Sequence, residues 1–198
     1  MADITATMVK ELRDRTGVGM MECRKALIEA DGNVDNAIKY LRERGISKAE
    51  SKSQRATKEG LIYSYIHFNG KIGVLLELNC ESDFVARTDE FKALAEEIAL
   101  QIAAMSPLAV TAEDIDPAII EREKEIARNK AINENKKPEF IDKIVEGNIR
   151  KYCSEHALME QALISDEKRT IKDLLTDAIS KTGENIQIAR FVRYALGE

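Results

Sequence analysis

Residues 62–78 read IYSYIHFNGKIGVLLEL, and this stretch decides the fold. It holds two apolar runs around Asn69-Gly70, a dipeptide that tolerates the positive φ angles of a tight two-residue hairpin turn. Side chains alternate between the two faces of a strand. The expected apolar face of the second strand consists of Ile72, Val74, Leu76 and Leu78. The expected matching face of the first strand consists of Ile62, Ile66 and Phe68. The stretch therefore predicts a β-hairpin that buries one side.

The hairpin leads into a loop, residues 79–87, which reads NCESDFVAR. Here Asp83 and Phe84 stand side by side between the end of a strand and the start of a helix. Such a pair suits insertion into a partner protein, because the ring fills a pocket while the carboxylate meets a polar neighbour. The alternative is that Ser82 caps the helix and Phe84 packs inside the protein's own core.

Three helices are predicted after this loop. Thr88 caps the first of them, and Ser106-Pro107 ends it. Its apolar stripe, expected to cover the sheet, consists of Phe91, Leu94, Ala95, Ile98 and Ile102. A proline is accepted in the first helical turn, where no N–H is needed, which predicts helices over 117–135 and 138–155. These two helices are expected to pair as an antiparallel hairpin.

The last part of the chain predicts a helix and a returning strand. Thr170 caps the helix, and Gly183 occupies the position that follows its C-terminal end. The run 186–194 then reads as a strand. Together with the β-hairpin, it predicts an α+β core: a three-stranded antiparallel sheet covered by helices, with the helical hairpin in between.

Three short helices are predicted before the hairpin. Asp3 caps the first, and Thr16-Gly17-Val18-Gly19 separates it from the second. The third begins after Asn33 and is expected to stop at Gly45. Their combined apolar surface is modest, so this three-helix module is expected to depend on contact with something else.

Residues 47–58 have no apolar side chain larger than alanine and are rich in Lys and Arg. We interpret them as a linker or an exposed helical arm. The expected domains are therefore a three-helix domain with its linker over 1–54 and a core domain over 55–198.

The composition limits the classes of protein to consider. Thirty basic and thirty-five acidic residues give a net charge of −5, which argues against nonspecific binding to nucleic-acid phosphates. Three widely spaced cysteines suggest neither a disulfide framework nor a metal site. The start of the chain lacks a signal-peptide pattern, and no run is long enough to span a membrane. We expect a soluble cytoplasmic protein.

No catalytic, cofactor-binding or metal-binding constellation is apparent. The only two histidines, His67 and His156, are not placed beside a cysteine that they could activate. No phosphate-binding glycine loop is present, since Gly17-Val18-Gly19 lacks both a third glycine and a preceding strand. Cys80, at a strand end, is expected to be partly exposed. The sequence therefore predicts a protein that is not an enzyme and has no cofactor.

Several segments resemble the elongation factor Ts family, in the family's order. Val9–Arg13 and Thr16–Leu27 resemble its first signature. Residues 78–85 resemble its second, with Ser82 where the family has Thr. Residues 181–186 resemble the Gly-Glu-Asn turn before the family's last strand. The resemblance covers about residues 2–196 and matches the shorter, bacterial type.

The resemblance implies a guanine-nucleotide exchange factor for elongation factor Tu in translation elongation. Such a factor binds the GDP-bound GTPase, disturbs its magnesium and phosphate contacts through the Asp-Phe loop, releases GDP and is displaced by GTP. The resemblance also implies an N-terminal module similar to ubiquitin-associated domains and a dimerisation-type core.

The resemblance also implies site residues, which are those at the positions of the family's motifs. The insertion loop consists of Ser82, Asp83, Phe84 and Val85. The contacts of the module consist of Leu12, Met20 and Arg24. The contacts of the last turn consist of Thr182 and Gly183. The implied partner is elongation factor Tu, GDP-bound or nucleotide-free, and a homodimer is expected because full contact requires two copies of so short a chain. Direct binding of nucleic acid or membrane is not expected.

Two other classes remain open on the residues alone. One is an adaptor that binds helical or ubiquitin-like partners through the Met20-Met21 corner. The other is an RNA-associated translation protein that uses the basic residues Lys48 to Lys58, which predicts a steep salt dependence. An enzyme without a recognisable constellation is a more distant alternative.

Overall fold

The computed structural model of the protein describes residues 4–198. Its helices are α1 (Ala6–Thr16), α2 (Met20–Glu29), α3 (Val34–Lys52), α4 (Asp83–Ala86), α5 (Asp89–Met105), α6 (Pro117–Asn133), α7 (Pro138–His156) and α8 (Ile171–Thr182). Its strands are β1 (Glu59–Ile66), β2 (Ile72–Cys80) and β3 (Gln187–Ala195). The strands form one antiparallel sheet in the order β1-β2-β3. The predicted α+β class with a three-stranded sheet is confirmed.

Local capping residues explain several of these boundaries. The Thr88 hydroxyl accepts a hydrogen bond from the Phe91 N–H at 3.2 Å, which caps the start of α5 as predicted. Gly183 follows α8 with a φ of 78°, as its predicted position requires. The predicted Asp3 cap lies outside the described residues, and the residue that caps α1 is Thr5, which accepts from the Met8 N–H at 3.3 Å.

The connection between β1 and β2 is wider than predicted. The His67 N–H donates to the Ile72 carbonyl at 2.9 Å, and the Gly70 N–H donates to the His67 carbonyl at 2.7 Å. Four residues therefore lie in the loop instead of two. In the predicted dipeptide only Gly70 has a positive φ, 66°, whereas a two-residue turn of the predicted kind needs two such residues.

The face assigned to β1 was wrong. The alternating residues of β2 are buried as expected, namely Val74, Leu76 and Leu78. In β1, however, Ile62 and Ile66 are exposed, as is Phe68 in the loop, and the opposite set is partly covered, namely Leu61, Tyr63 and Tyr65. Both faces of β1 carry large apolar or aromatic side chains, so the alternation could not distinguish them.

The third helix does not stop at Gly45. Helix α3 continues to Lys52, and Gly45 is buried inside it. A Cβ atom added at Gly45 would lie 3.7 Å from the side chain of Ser180 and 3.8 Å from that of Thr176. Both distances are ordinary van der Waals contacts, so the position does not require glycine. Helix α3 runs through Gly45, and the first half of the predicted linker, residues 47–52, is helical.

The predicted helical hairpin is confirmed as α6 and α7. Each helix begins with its proline, and the Asp116 side chain accepts from the Ala118 N–H at 2.8 Å. Ala127, Ala131 and Val145 are buried, and Arg128 pairs with Asp142 at 2.9 Å. The four residues 134–137 connect the two helices.

The chain divides into two compact units. The first contains Met1–Leu61, Leu78–Leu94 and Asp173–Gln187, and the second contains Ile62–Glu77, Ala95–Lys172 and Ile188–Glu198. A cluster in the first unit is formed by Val9, Leu12, Cys23, Ala26, Leu27, Ala37 and Leu41. This division follows contacts and not chain order, so the domain boundary predicted after residue 54 stays a prediction. All the predicted binding residues fall in the first unit.

Candidate partner-binding site

The Asp-Phe loop is a single helical turn at the end of β2. Ser82 has extended backbone angles, and its hydroxyl accepts from the Val85 N–H at 3.4 Å, so Ser82 caps α4. Within the turn, Val85 and Ala86 are buried whereas Asp83 and Phe84 point outward. Ser82 therefore forms the cap foreseen in the alternative interpretation, but Phe84 does not pack into the core.

Phe84 is 77% exposed, although its ring is large and apolar. Asp83 beside it pairs with Arg87 at 2.9 Å, and both side chains are largely exposed. Such exposed pairs contribute little to stability. The tip of the loop therefore presents an aromatic ring and a carboxylate that the fold itself hardly uses.

The carboxylate of Glu184 anchors the base of this loop. It accepts the Glu81 N–H at 3.1 Å, the Ser82 N–H at 3.0 Å and the Ser82 hydroxyl at 2.5 Å. The hydroxyl of Ser82 thus donates to Glu184 while it accepts from Val85. Hydrogen bonds to an ionised carboxylate are stronger than neutral ones, so this anchor fixes the start of α4.

A second carboxylate, that of Glu81 in the loop, accepts from the segment that contains Glu184. Glu81 accepts the Asn185 N–H at 2.7 Å and the Arg55 guanidinium at 3.4 Å. The Asn185 hydrogen bond, followed by the nearby charge of Arg55, holds the pKa of Glu81 below its usual value. The lowered pKa means that this stabilisation is complete at neutral pH and is lost only as the pH falls through the lowered value.

Hydrogen bonds connect the end of α3 to residues 183–185, which follow α8. The buried Asn185 side chain donates to the carbonyls of Arg55 at 2.8 Å and Ser53 at 3.4 Å. The Lys52 ammonium donates to the Gly183 carbonyl at 2.5 Å. Burial, together with the positive charges of Arg55 and Lys48, lowers the pKa of Lys52. We call the residues that make these contacts, 52–55, 81–82 and 183–185, the brace.

The predicted contacts in the last turn are engaged inside the protein. The Thr182 hydroxyl donates to the Ala178 carbonyl at 2.9 Å and accepts from the Glu184 N–H at 3.3 Å. Gly183 is exposed, and its carbonyl accepts from Lys52. The turn therefore shapes the brace, and only its Gly183 surface is free for a partner.

The three residues predicted on the module differ in position. Met20 and Arg24 are exposed on α2, and Met21, which was predicted to bind a partner only in the adaptor interpretation, is 77% exposed. Leu12 is fully buried in the core cluster of the three helices. A contact by Leu12 would therefore be indirect, through its support of the neighbouring helix.

Several functional candidates were missed from the sequence. Glu184 and Asn185 stand in the segment 181–186 that carries the resemblance, but nothing local indicates that they meet residues 81–82, more than a hundred positions earlier. Met21 was not missed in the same way, because the adaptor interpretation already included it in the Met20-Met21 corner.

Among the described residues, both histidine rings are hydrogen-bonded, Cys23 and Cys80 are buried, and Cys153 is half-buried. The His67 ring bonds to the Tyr65 hydroxyl at 2.9 Å. Cys80 is fully buried, contrary to the expectation of partial exposure, because its thiol points inward and donates to the Ser82 carbonyl. Burial raises the pKa of Cys23, Cys80 and Cys153.

Within residues 4–198, no group of three or more His, Cys, Asp or Glu side chains is arranged to hold a metal ion. No helix in this range is long and apolar enough to cross a membrane.

The fold and this site define an α+β protein that presents a braced aromatic loop and an exposed methionine corner. Comparison with known proteins identifies the family: the family model described as Elongation factor TS matches residues 4–198. The chain belongs to the elongation factor Ts family, and its role is that of a translation elongation factor.

Proteins named Elongation factor Ts are similar to this chain over nearly its whole length. The one from Fervidobacterium nodosum is 55% identical over 196 residues, which cover 99% of this chain and 100% of the relative. The one from Nitratidesulfovibrio vulgaris is 56% identical over 194 residues, covering 98% and 97%. The one from Oleidesulfovibrio alaskensis is 54% identical over 197 residues, covering 100% of both.

Proposed function

We propose that this chain releases GDP from elongation factor Tu by inserting the Asp83-Phe84 tip beside the nucleotide site of that GTPase. Insertion disturbs the magnesium and phosphate contacts of the bound GDP, and GTP later displaces the factor. The observation that carries the proposal is the exposure of Phe84, 77%, on a turn whose base is held by charged hydrogen bonds. We place this activity in the cytoplasm, where translation takes place.

The energetics suit a binding protein that performs no covalent chemistry. Burying a phenylalanine ring contributes about 1.5–3 kcal/mol, which offsets part of the cost of disturbing the GDP site. Linkage requires the effect to be reciprocal: a factor that weakens GDP binding is itself weakened by GDP to the same extent. The chain must therefore bind nucleotide-free elongation factor Tu more tightly than the GDP-bound form.

The experiment that tests the proposal measures release of fluorescent GDP from purified elongation factor Tu. Addition of this chain is expected to accelerate release, with an effect that saturates as its concentration rises. Binding measured with and without excess GDP separates this function from that of an adaptor. An adaptor would bind with an affinity that does not depend on the nucleotide and would leave the release rate unchanged.

The RNA-binding alternative has less support. In the basic stretch it requires, Lys48 pairs with Glu22 at 3.3 Å, Lys52 with the Gly183 carbonyl and Arg55 with Glu81. These side chains are engaged within the first unit. The positive charges of Lys48 and Arg55 are therefore partly neutralised by carboxylates before any phosphate approaches.

The methionine corner of α2 is proposed as a second contact with elongation factor Tu. Exposed methionines adapt their shape to an apolar partner surface, and Arg24 lies on the same short helix. Replacing Met21 with alanine is expected to weaken binding about fivefold, or about 1 kcal/mol, measured by titration calorimetry with nucleotide-free elongation factor Tu. Met105→Ala, at an exposed methionine that ends α5, serves as the control and should bind normally. Equal affinities of the two variants would remove the corner from the interface.

We propose a homodimer that forms through the open face of the sheet. This face carries exposed apolar side chains from all three strands, namely Ile62, Ile66, Leu75, Val192 and Tyr194. Ile62, Leu75 and Val192 line one groove. Exposed apolar patches on a sheet commonly mark protein interfaces.

The Leu75→Lys variant tests the dimer, because a charge in this face would have to be desolvated on association. Sedimentation equilibrium is expected to give twice the chain mass for the unaltered protein and a single chain mass for the variant. Ile126→Lys, on an exposed position of α6, should remain dimeric. A single chain mass for the unaltered protein would contradict the proposal.

A further inference from the structure

We propose that Glu184 is a positioning residue for nucleotide exchange: its carboxylate holds the Asp83-Phe84 turn in the orientation needed for insertion. The inference rests on the proposed function. In this proposal, the turn that contains Thr182 and Gly183 supports the insertion loop from within the protein. This role is in addition to any surface that the turn offers to elongation factor Tu.

The turn that carries Phe84 needs outside support. Helix α4 has only four residues, and a single isolated helical turn is unstable because nucleation fixes several residues for one hydrogen bond. The exposed ring of Phe84 adds almost no packing of its own. The direction of the ring therefore depends on what fixes the residues immediately before it.

Glu184 fixes those residues at three points. Its Oε2 atom accepts the N–H groups of Glu81 and Ser82, and its Oε1 atom accepts the Ser82 hydroxyl. The same hydroxyl caps α4 through the Val85 N–H. A continuous path of hydrogen bonds thus runs from the Glu184 carboxylate to the helical turn that carries Phe84.

The reverse bond makes this support mutual. The Glu184 carboxylate accepts from residues 81 and 82, and the Glu81 carboxylate accepts from the Asn185 N–H. Each of the two segments thus supplies a carboxylate that accepts from the backbone of the other. The Asn185 side chain extends the connection to the carbonyls of Ser53 and Arg55, immediately after α3. The loop and the end of α3 are therefore held by one set of contacts within the first unit.

A rigid loop increases the rate of exchange for a physical reason. Entry of Phe84 into a pocket is productive only from a limited range of orientations, and a mobile loop would lose conformational entropy on binding. The brace limits the conformations of the loop before the factor meets the GTPase, so less conformational entropy is lost on binding. Loss of Glu184 is therefore expected to weaken the factor without removing any group that touches the GTPase.

A double-mutant cycle tests whether Glu184 acts through Phe84. The variants are Glu184→Ala, Phe84→Ala and the double variant, and the measurement is stimulated release of fluorescent GDP across a range of factor concentrations. We expect Glu184→Ala to lower the second-order rate of stimulated release about tenfold, equivalent to about 1.4 kcal/mol. In the Phe84→Ala background the same change should have almost no further effect, because the ring to be positioned is gone.

Matched variants separate positioning from general stability. Glu97→Ala removes another carboxylate that accepts a serine hydroxyl, that of Ser165 at 2.9 Å, and should leave release unchanged. Ser82→Ala removes the hydroxyl that joins Glu184 to α4 and should resemble Glu184→Ala. If Glu184→Ala does not fold, as judged by circular dichroism, Glu184→Gln takes its place in the cycle, since it keeps an acceptor oxygen but loses the charge.

The outcomes distinguish the two proposals. Normal release with Glu184→Ala, or an equal loss in both backgrounds, would overturn the positioning role while leaving the function of Phe84 intact. Normal release with Phe84→Ala would instead overturn the insertion mechanism itself, and the positioning role with it. A loss confined to the background that contains Phe84 supports both.

Discussion

Replacing Phe84 with alanine is expected to slow stimulated GDP release from elongation factor Tu by about 10- to 100-fold. The estimate follows from the loss of about 1.5–3 kcal/mol of binding energy when a buried aromatic ring is removed from a complex. The ring is exposed in the free protein, so the melting temperature should change little. Stopped-flow fluorescence of labelled GDP measures the rate.

The chain offers a matched control for this substitution. Phe68, in the loop between β1 and β2, is 93% exposed and is also a phenylalanine outside the strands of the sheet. Phe68→Ala is therefore expected to leave the release rate near that of the unaltered factor. If both variants exchanged GDP at the unaltered rate, Phe84 would not be the inserted group.

Replacing Gly60 with alanine is expected to destabilise the protein by about 3–5 kcal/mol, from backbone strain together with overpacking. Gly60 has a φ of 150°, and an added Cβ atom would lie 2.3 Å from the Leu78 carbonyl oxygen and 2.7 Å from the Asn79 Cα. Both contacts are with backbone, which cannot move aside without disrupting the pairing of β1 with β2. Calorimetry should record a melting temperature lower by roughly 6–20 °C.

Gly70 provides the comparison for Gly60. It also has a positive φ, 66°, but a Cβ atom added there would meet nothing within 4 Å. Gly70→Ala therefore isolates the conformational penalty, about 1 kcal/mol. Similar melting temperatures for the two variants would mean that the close approach at Gly60 does not limit stability.

The features that were predictable from the sequence depend on local chemistry. Pro117 and Pro138 fix helix starts because a first turn needs no N–H from them, and Gly183 fixes a helix end because it adopts a positive φ. The exposed pair Asp83-Phe84 was also predictable as a candidate, since it follows a strand that alternates cleanly. These signals lie within a few residues of the structure they determine.

The features that were not predictable depend on distant residues. Gly45 looked like a helix end, but α3 runs through it and buries it beside Ser180 and Thr176, far along the chain. The buried face of β1 could not be chosen, because Ile62 and Tyr63 have comparable apolar character. The anchor of the loop escaped detection for the same reason, since Ser82 and Glu184 are 102 positions apart.

The separation between Ser82 and Glu184 has a consequence for biosynthesis. A ribosome that adds about 5–20 residues per second needs roughly 5–20 s to pass from Ser82 to Glu184, a distance of 102 positions. During that interval the nascent chain already carries Phe84 but lacks the carboxylate that holds it. Truncated products that end before Glu184 therefore carry an unanchored aromatic segment, and we expect them to compete poorly with the finished factor.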